Sequence, residues 1–334
     1  MKVFMRHTEL LRQKGEHLIP AVAYGDAAGL PVETRSAQEI ADRYGRIDRL
    51  VPTTDNPYFS DKPAPGFWSD DTQLSIAVAE GLRAANHFAL DALATAHLRA
   101  YEETPVILNS RGVETKQGWG GSTVAAMEQL RAGTSPLESG TPEGAGNGVL
   151  MKLAPLVYWQ YVRGTTLAQR TLEYDQLTTM THDSDIARAA TRIHGEVLHS
   201  LLCEGFSEQT FQNAVEACDL SIESSAAFSS LFAYLNNAVD SDTILQQTDG
   251  KGFYAPQTLA MAYGAFQSQE GRFTESVYEA VNLGGDTDST ASIVAAMSVF
   301  ATRTMIDFPS DFETLDQFAL LQQISKDFTD QAFS

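Results

Sequence analysis

At 334 residues with a formal net charge of −20, the chain lacks the basic surface that general nucleic-acid binding requires, although a metal ion or helix N-terminus can still hold a phosphate locally. Its 43% hydrophobic residues suffice for a core, but no stretch approaches the ~18–20 apolar residues of a membrane span. The first twenty residues are too charged for a signal peptide, and Cys203 and Cys218 form no metal-type pair or disulfide framework, so a soluble, cytoplasmic protein is expected.

Residues 8–24 carry helical spacing at Leu18, Ala21, Val22 and Gly25, with Pro20 as a kink or a start. The run ends in Gly25-Asp26-Ala27-Ala28-Gly29-Leu30-Pro31-Val32-Glu33, where small residues allow close backbone approach and Pro31 stops the helix. Asp26 and Glu33 are oxygen ligands or bases on one reading, caps or solvated acids on the other. Residues 45–68 hold Pro52, Pro57, Pro63, Pro65 and Gly66, which predicts a long loop delivering Trp68 and Ser69. Such loops are functional or disordered, and ending on an acidic cluster favours function.

That cluster is Ser69-Asp70-Asp71-Thr72-Gln73, ahead of a helical run at Leu74, Ala77, Val78, Leu82 and Ala85. Asp70 and Gln73 stand at capping-box spacing. A helix over 90–102 follows. Residues 104–123 read as loop and close on Gly118-Trp119-Gly120-Gly121-Ser122-Thr123, either a plain turn or one that offers N–H groups to a pyrophosphate. The loop over 132–148 ends in Gly144-Ala145-Gly146-Asn147-Gly148. The next helix aligns Leu150, Leu153, Ala154, Val157 and Tyr161, with Pro155 in its first turn or kinking it.

Thr181-His182-Asp183-Ser184-Asp185 opens a clean helix with Ile186, Ala190, Ile193, Val197 and Leu201 in one stripe. His182 precedes the stripe and is a ligand contact or a cap; His194 and His199 read as structural. Residues 205–250 read as helical segments without a usable motif. Leu259, Ala262, Tyr263 and Phe266 mark a further helix, and 275–281 lead into Asn282-Leu283-Gly284-Gly285-Asp286-Thr287-Asp288-Ser289-Thr290. Apolar positions at Ile293, Ala296, Met297, Phe300 and Ala301 place a helix after it, with Asp288 or Ser289 at its N-cap. Residues 310–334 read as a surface helix with a short tail. The sum is an all-α fold of about a dozen helices in one domain spanning 1–334.

Two carboxylate–hydroxyl clusters at helix starts exceed what capping needs. Adjacent carboxylates repel, and helix-dipole effects offset this by only about 0.3–1 kcal/mol each. A positive partner outside the sequence is implied. Hard oxygen ligands without His or Cys point to magnesium or manganese, in a site of one or two ions.

These motifs, in this order, resemble the ADP-ribosylglycohydrolase family, whose members include ADP-ribosylarginine hydrolase and the glycohydrolase that reactivates dinitrogenase reductase. The resemblance implies a compact, orthogonal multi-helix fold with a dinuclear metal cleft holding two Mg2+ or Mn2+ ions. The implied ligands are Ser69, Asp70 and Asp71 with Asp286, Asp288 and Ser289. Glu33 falls where the family has a glutamate near the metals. Gly118, Gly120, Gly121 and Ser122, the Asn147-Gly148 turn and His182 fall where members line the ADP-ribose pocket. Ser69 and Ser289 replace common threonines but keep the oxygen; Lys152 stands where arginine is frequent, and Ala28 replaces a usual leucine.

The implied reaction hydrolyses the bond between an acceptor and C1 of the distal ribose, through an oxocarbenium-like transition state. Glu33, Asp70, Asp71 and Asp288 are the catalytic candidates, Glu33 being one choice of base. The expected substrate is an ADP-ribosylated protein or small molecule, arginine-linked before serine-linked. A guanidinium leaves already protonated, and no motif histidine or raised-pKa acid is evident in the sequence to protonate an alkoxide. A monomer is expected. The rival readings are a silent ADP-ribose-binding or structural protein on the same fold and a metal-dependent phosphohydrolase.

Overall fold

The computed structural model describes residues 2–59, 61, 64–108, 112–218, 220–228 and 252–334. Its helices are α1 (Lys2–Gly29), α2 (Ala37–Tyr44), α3 (Asp70–Ala85), α4 (Leu90–Glu103), α5 (Gly121–Arg131), α6 (Ala154–Arg163), α7 (Leu167–Thr179), α8 (Asp185–Glu204), α9 (Thr210–Glu216), α10 (Ile222–Ala227), α11 (Ala255–Ser268), α12 (Phe273–Asn282), α13 (Thr287–Ala301) and α14 (Phe318–Ala332). The expected all-α class holds. The reading of 229–250 as helical lies outside the described residues.

α1 runs unbroken through Pro20 and past the expected end at Gly25. Proline removes one helical donor, but residues 18–30 are buried on every side, and that packing outweighs the local cost. At the C-terminal end of α1, Gly25 and Gly29 meet α13 backbone to backbone. A Cβ at Gly29 would overlap the Thr287 carbonyl, and one at Gly25 the Ala291 carbonyl. Glycine is what lets these helices touch.

α13 is buried at every position from Thr287 to Phe300, which explains a sequence that is apolar or small all round. It packs against α1, α8, α11 and α12, while α3 pairs with α4 and α14 lies along α1. α14 is less a surface helix than expected, because Leu321, Ser325, Phe328, Thr329 and Ala332 are buried. Pro155 lies in the first turn of α6, where its missing donor costs nothing. One hairpin departs from the all-helical reading: β1 (Val106–Leu108) pairs antiparallel with β2 (Glu114–Lys116), with Ile107 opposite Thr115.

Candidate active site

Three helix ends converge on one cavity of about 240 Å³. The first is the end of α1 with the turn to Glu33, the second the start of α3, and the third the start of α13. The Glu33 turn is fastened to the glycine turn before α13, since Thr34 N donates to Gly285 O and Gly285 N to Arg35 O, each at 2.7 Å. Gly284 and Gly285 have φ of 77° and 80°, the left-handed region that glycine occupies freely.

Asp26, in the last turns of α1, is fully buried and is neither a solvated acid nor a cap of its own helix. Its carboxylate accepts from Ser69 N at 2.8 Å, from Thr72 N at 3.1 Å and from Thr72 Oγ1 at 2.6 Å. A carboxylate from another helix therefore holds the start of α3. The expected capping box is absent: Ser69 is the N-cap residue of α3, and Gln73 Oε1 instead accepts from Trp119 Nε1 and Thr104 Oγ1. At α13 the N-cap is Asp286, not Asp288 or Ser289, and its side chain makes no capping bond.

Freed from capping, the acids face one another. Glu33, Asp286 and Asp288 each offer a carboxylate oxygen, all within 4.8 Å of one another. Asn147 Nδ2 donates to Asp286 Oδ2 at 2.6 Å, and Asn56 Nδ2 to Glu33 Oε2 at 3.2 Å. Asp71 accepts from Ser292 Oγ at 2.9 Å, Ser289 Oγ at 3.4 Å and Ser69 Oγ at 3.5 Å. Asp70, Asp71, Asp286 and Asp288 are buried and Glu33 is half-buried.

Burial, then the Asp286 charge, pushes Glu33 up to about 8. Burial, then Asp26, pushes Asp70 up to about 7, and burial alone lifts Asp26 to about 6 against four hydrogen bonds. Asp71 and Asp288 rise well above the carboxylate range from burial and neighbouring acids, and burial raises Asp286. The contrary charge is Lys152, fully buried, held down to about 7 by its own burial and drawn up by Asp70. Hard oxygen donors at this spacing, mutually repelling and fixed by outer hydrogen bonds, suit a divalent cation of the magnesium or manganese type.

The rest of the cavity wall comes from Gly118, Gly120, Gly121, Ser122, Asn147, Gly148, His182 and Phe253. All the sequence-derived site residues except Ser69 line the cavity; Ser69 stands behind it at the start of α3. His182 caps nothing, because Ser184 is the N-cap of α8. Its Nδ1 lies 2.9 Å from Thr181 Oγ1. Burial, then Lys152, lowers it to about 3, so it meets a ligand as neutral imidazole. Sequence reasoning missed Asn56, Ser292 and Phe253, and it read Asp26 as a ligand, base, cap or solvated acid, whereas Asp26 holds the start of α3 from behind the cavity.

Residues 9–298 match the model of the ADP-ribosylglycohydrolase family. The chain belongs to that family. Among relatives of this ADP-ribosylglycohydrolase, an uncharacterized protein of Archaeoglobus fulgidus is 28% identical over 86% of the chain and 87% of its own length. Two proteins named ADP-ribosylarginine hydrolase Tri1 are similar. That of Serratia proteamaculans is 24% identical over 84% of this chain and 69% of its own; that of Pseudomonas putida is 25% identical over 86% and 69%. A solved structure described as an ADP-ribosylglycohydrolase-related protein complex shares the fold, with a TM-score of 0.72, 24% identity and coverage of 97% of this chain and 99% of that one.

Proposed function

We propose that this chain is a divalent-cation-dependent hydrolase that releases ADP-ribose from a modified acceptor, with arginine on protein preferred. The observation that carries the reading is the convergence of Glu33, Asp286 and Asp288 beside Asp70 and Asp71 in one cavity, within a family fold. Two Mg2+ or Mn2+ ions are proposed, held by Ser69, Asp70, Asp71, Asp286, Asp288 and Ser289 with Glu33 adjacent.

When bound, such cations orient ribose hydroxyls and acidify water. The chain's own groups do the rest. Asn147 holds Asp286, and Ser292 and Ser289 hold Asp71, so the carboxylates are aimed before substrate arrives. Carboxylates near the anomeric carbon stabilise the positive charge of its oxocarbenium-like transition state. Glu33, the carboxylate beside the proposed ligand set, takes a proton from attacking water. The start of α5 at Gly121, preceded by Gly120 with no capping side chain, offers N–H groups for the pyrophosphate. Phe253, 41% exposed at the rim, offers an aromatic face to the ligand.

The leaving-group argument for arginine weakens. Glu33, which stands outside the proposed ligand set, is an acid with a raised pKa, so a proton donor for an alkoxide is present after all. Preference for arginine rests instead on the Tri1 relatives and on the acidic surface, which favours a cationic acceptor. The test is mass-spectrometric identification of products from arginine- and serine-modified peptides, with magnesium and with chelator. Free ADP-ribose, formed faster from the arginine peptide and lost on chelation, supports the reading. AMP or phosphate would make the protein a phosphohydrolase, and binding without turnover a silent binder.

A further inference from the structure

On the helix surface formed by α1, α6 and α8, three side chains with ligand or proton chemistry gather around one phenol. His199 and Cys203 are one turn apart on α8 and share a face. His199 Nδ1 lies 3.6 Å from Cys203 Sγ. The Tyr161 hydroxyl of α6 stands 3.5 Å from His7 Nε2 of α1 and neighbours the Cys203 thiol. The Tyr161 and His199 rings meet edge to face at 5.5 Å, which fixes the imidazole plane. Cys203 and His7 are exposed and His199 is half-buried, so an ion can reach them from solvent.

The spacing is informative. Zinc bonds of about 2.3 Å to sulfur and about 2.0–2.1 Å to nitrogen, at a tetrahedral angle, put the two ligand atoms about 3.6 Å apart. We propose that His199 and Cys203 chelate a borderline-soft divalent cation of the zinc class, with His7 swinging from α1 to supply a third ligand and solvent the fourth. Two imidazoles and a thiolate suit that class and disfavour magnesium, so this site does not compete with the carboxylate cavity. On binding, the thiol S–H bond breaks, its proton leaves to water and a sulfur–metal bond forms. Burial and Glu204 hold the thiol above its ordinary pKa, against Tyr161, Arg170 and Arg303. A thiol kept protonated is a poor nucleophile, and it yields its proton only when a metal displaces it. The bound ion ties the first turns of α1 to α8.

The test titrates Co2+ alone as a spectroscopic probe into the whole chain, with magnesium in excess to fill oxygen sites. The expected result is one near-ultraviolet sulfur-to-cobalt charge-transfer band, saturating at one ion per chain and displaced by zinc. Cys203→Ser abolishes it, His199→Ala weakens cobalt affinity by about tenfold or more, and His7→Ala does so by a smaller factor. Cys218→Ser leaves it intact. Magnesium-supported activity of Cys203→Ser stays at the wild-type level, which shows the variant is folded. A wild-type chain with no such band, or a band that survives Cys203→Ser, overturns the proposal.

Discussion

Asp288 lies in the first turn of α13 and is buried, and the backbone donor on its Oδ1 is the next amide, Ser289 N, at 3.0 Å. Asp288→Asn keeps the shape and that hydrogen bond but removes the charge. We expect turnover to fall by more than about 100-fold while the thermal midpoint changes little, since disturbing a metal's outer partners already costs about 10–100-fold. Wild-type kinetics in this variant would return Asp288 to a structural role. Asn147→Ala makes the complementary case. It removes the donor to Asp286, and calorimetry should find Mn2+ bound about 10–100-fold more weakly. The ligand candidates were legible because their residues are consecutive in motifs. Asp26 was half-legible, as a lone charge between Val22 and Gly29 on a packing face. Asn56 and Phe253 come from loops without periodicity, and Ser292 joins Asp71 only because one helical turn separates it from Ser289.

At the scale of elements, the site depends on how closely α1 approaches α13. Gly29→Ala would force a Cβ into the Thr287 carbonyl and separate the helices next to both Glu33 and Asp288. Overpacking of this kind costs about 1–3 kcal/mol, and backbone neighbours cannot swing aside. Urea titration should show a lowered midpoint, together with weaker Mn2+ binding. Gly120→Ala is the control: no atom lies within 4 Å of its added Cβ, and its φ of −65° suits alanine. Stability unchanged in Gly120→Ala and lowered in Gly29→Ala is the expected pair of outcomes; equal stability in both would remove the close crossing as a determinant. Helix starts at residues 70 and 287 were readable within three residues of their hydroxyl–carboxylate clusters. Which residue caps was not, because Asp26 and Trp119 supply partners from distant sequence. The β1–β2 hairpin escaped notice since three-residue strands are too short for alternation to register.

For the molecule as a whole, the carboxylate cluster links stability to pH and to cations. Asp26, Asp70 and Glu33 have folded pKa values raised to about 6, 7 and 8, against about 4 in an unfolded chain. A raised carboxylate contributes stability that is fully present below its unfolded pKa and lost as pH rises through the folded value. In the metal-free protein that contribution therefore fades between about pH 4 and pH 8. Lys152, lowered to about 7, acts oppositely above neutrality, so the absolute midpoint mixes both trends. The difference made by a cation isolates the carboxylates, because ligands must be ionised to bind and each raised pKa is a proton to displace. Magnesium should thus stabilise the protein more at pH 8.5 than at pH 6. At a concentration about 100 times its dissociation constant, a single bound ion adds about 2.7 kcal/mol. For a chain of this length that is roughly a 4 °C rise in midpoint. Paired thermal scans with magnesium and with chelator at both pH values measure it. A larger magnesium shift at pH 6 than at pH 8.5 would mean that the raised carboxylates Asp70, Asp71, Asp286 and Asp288 do not hold the ion.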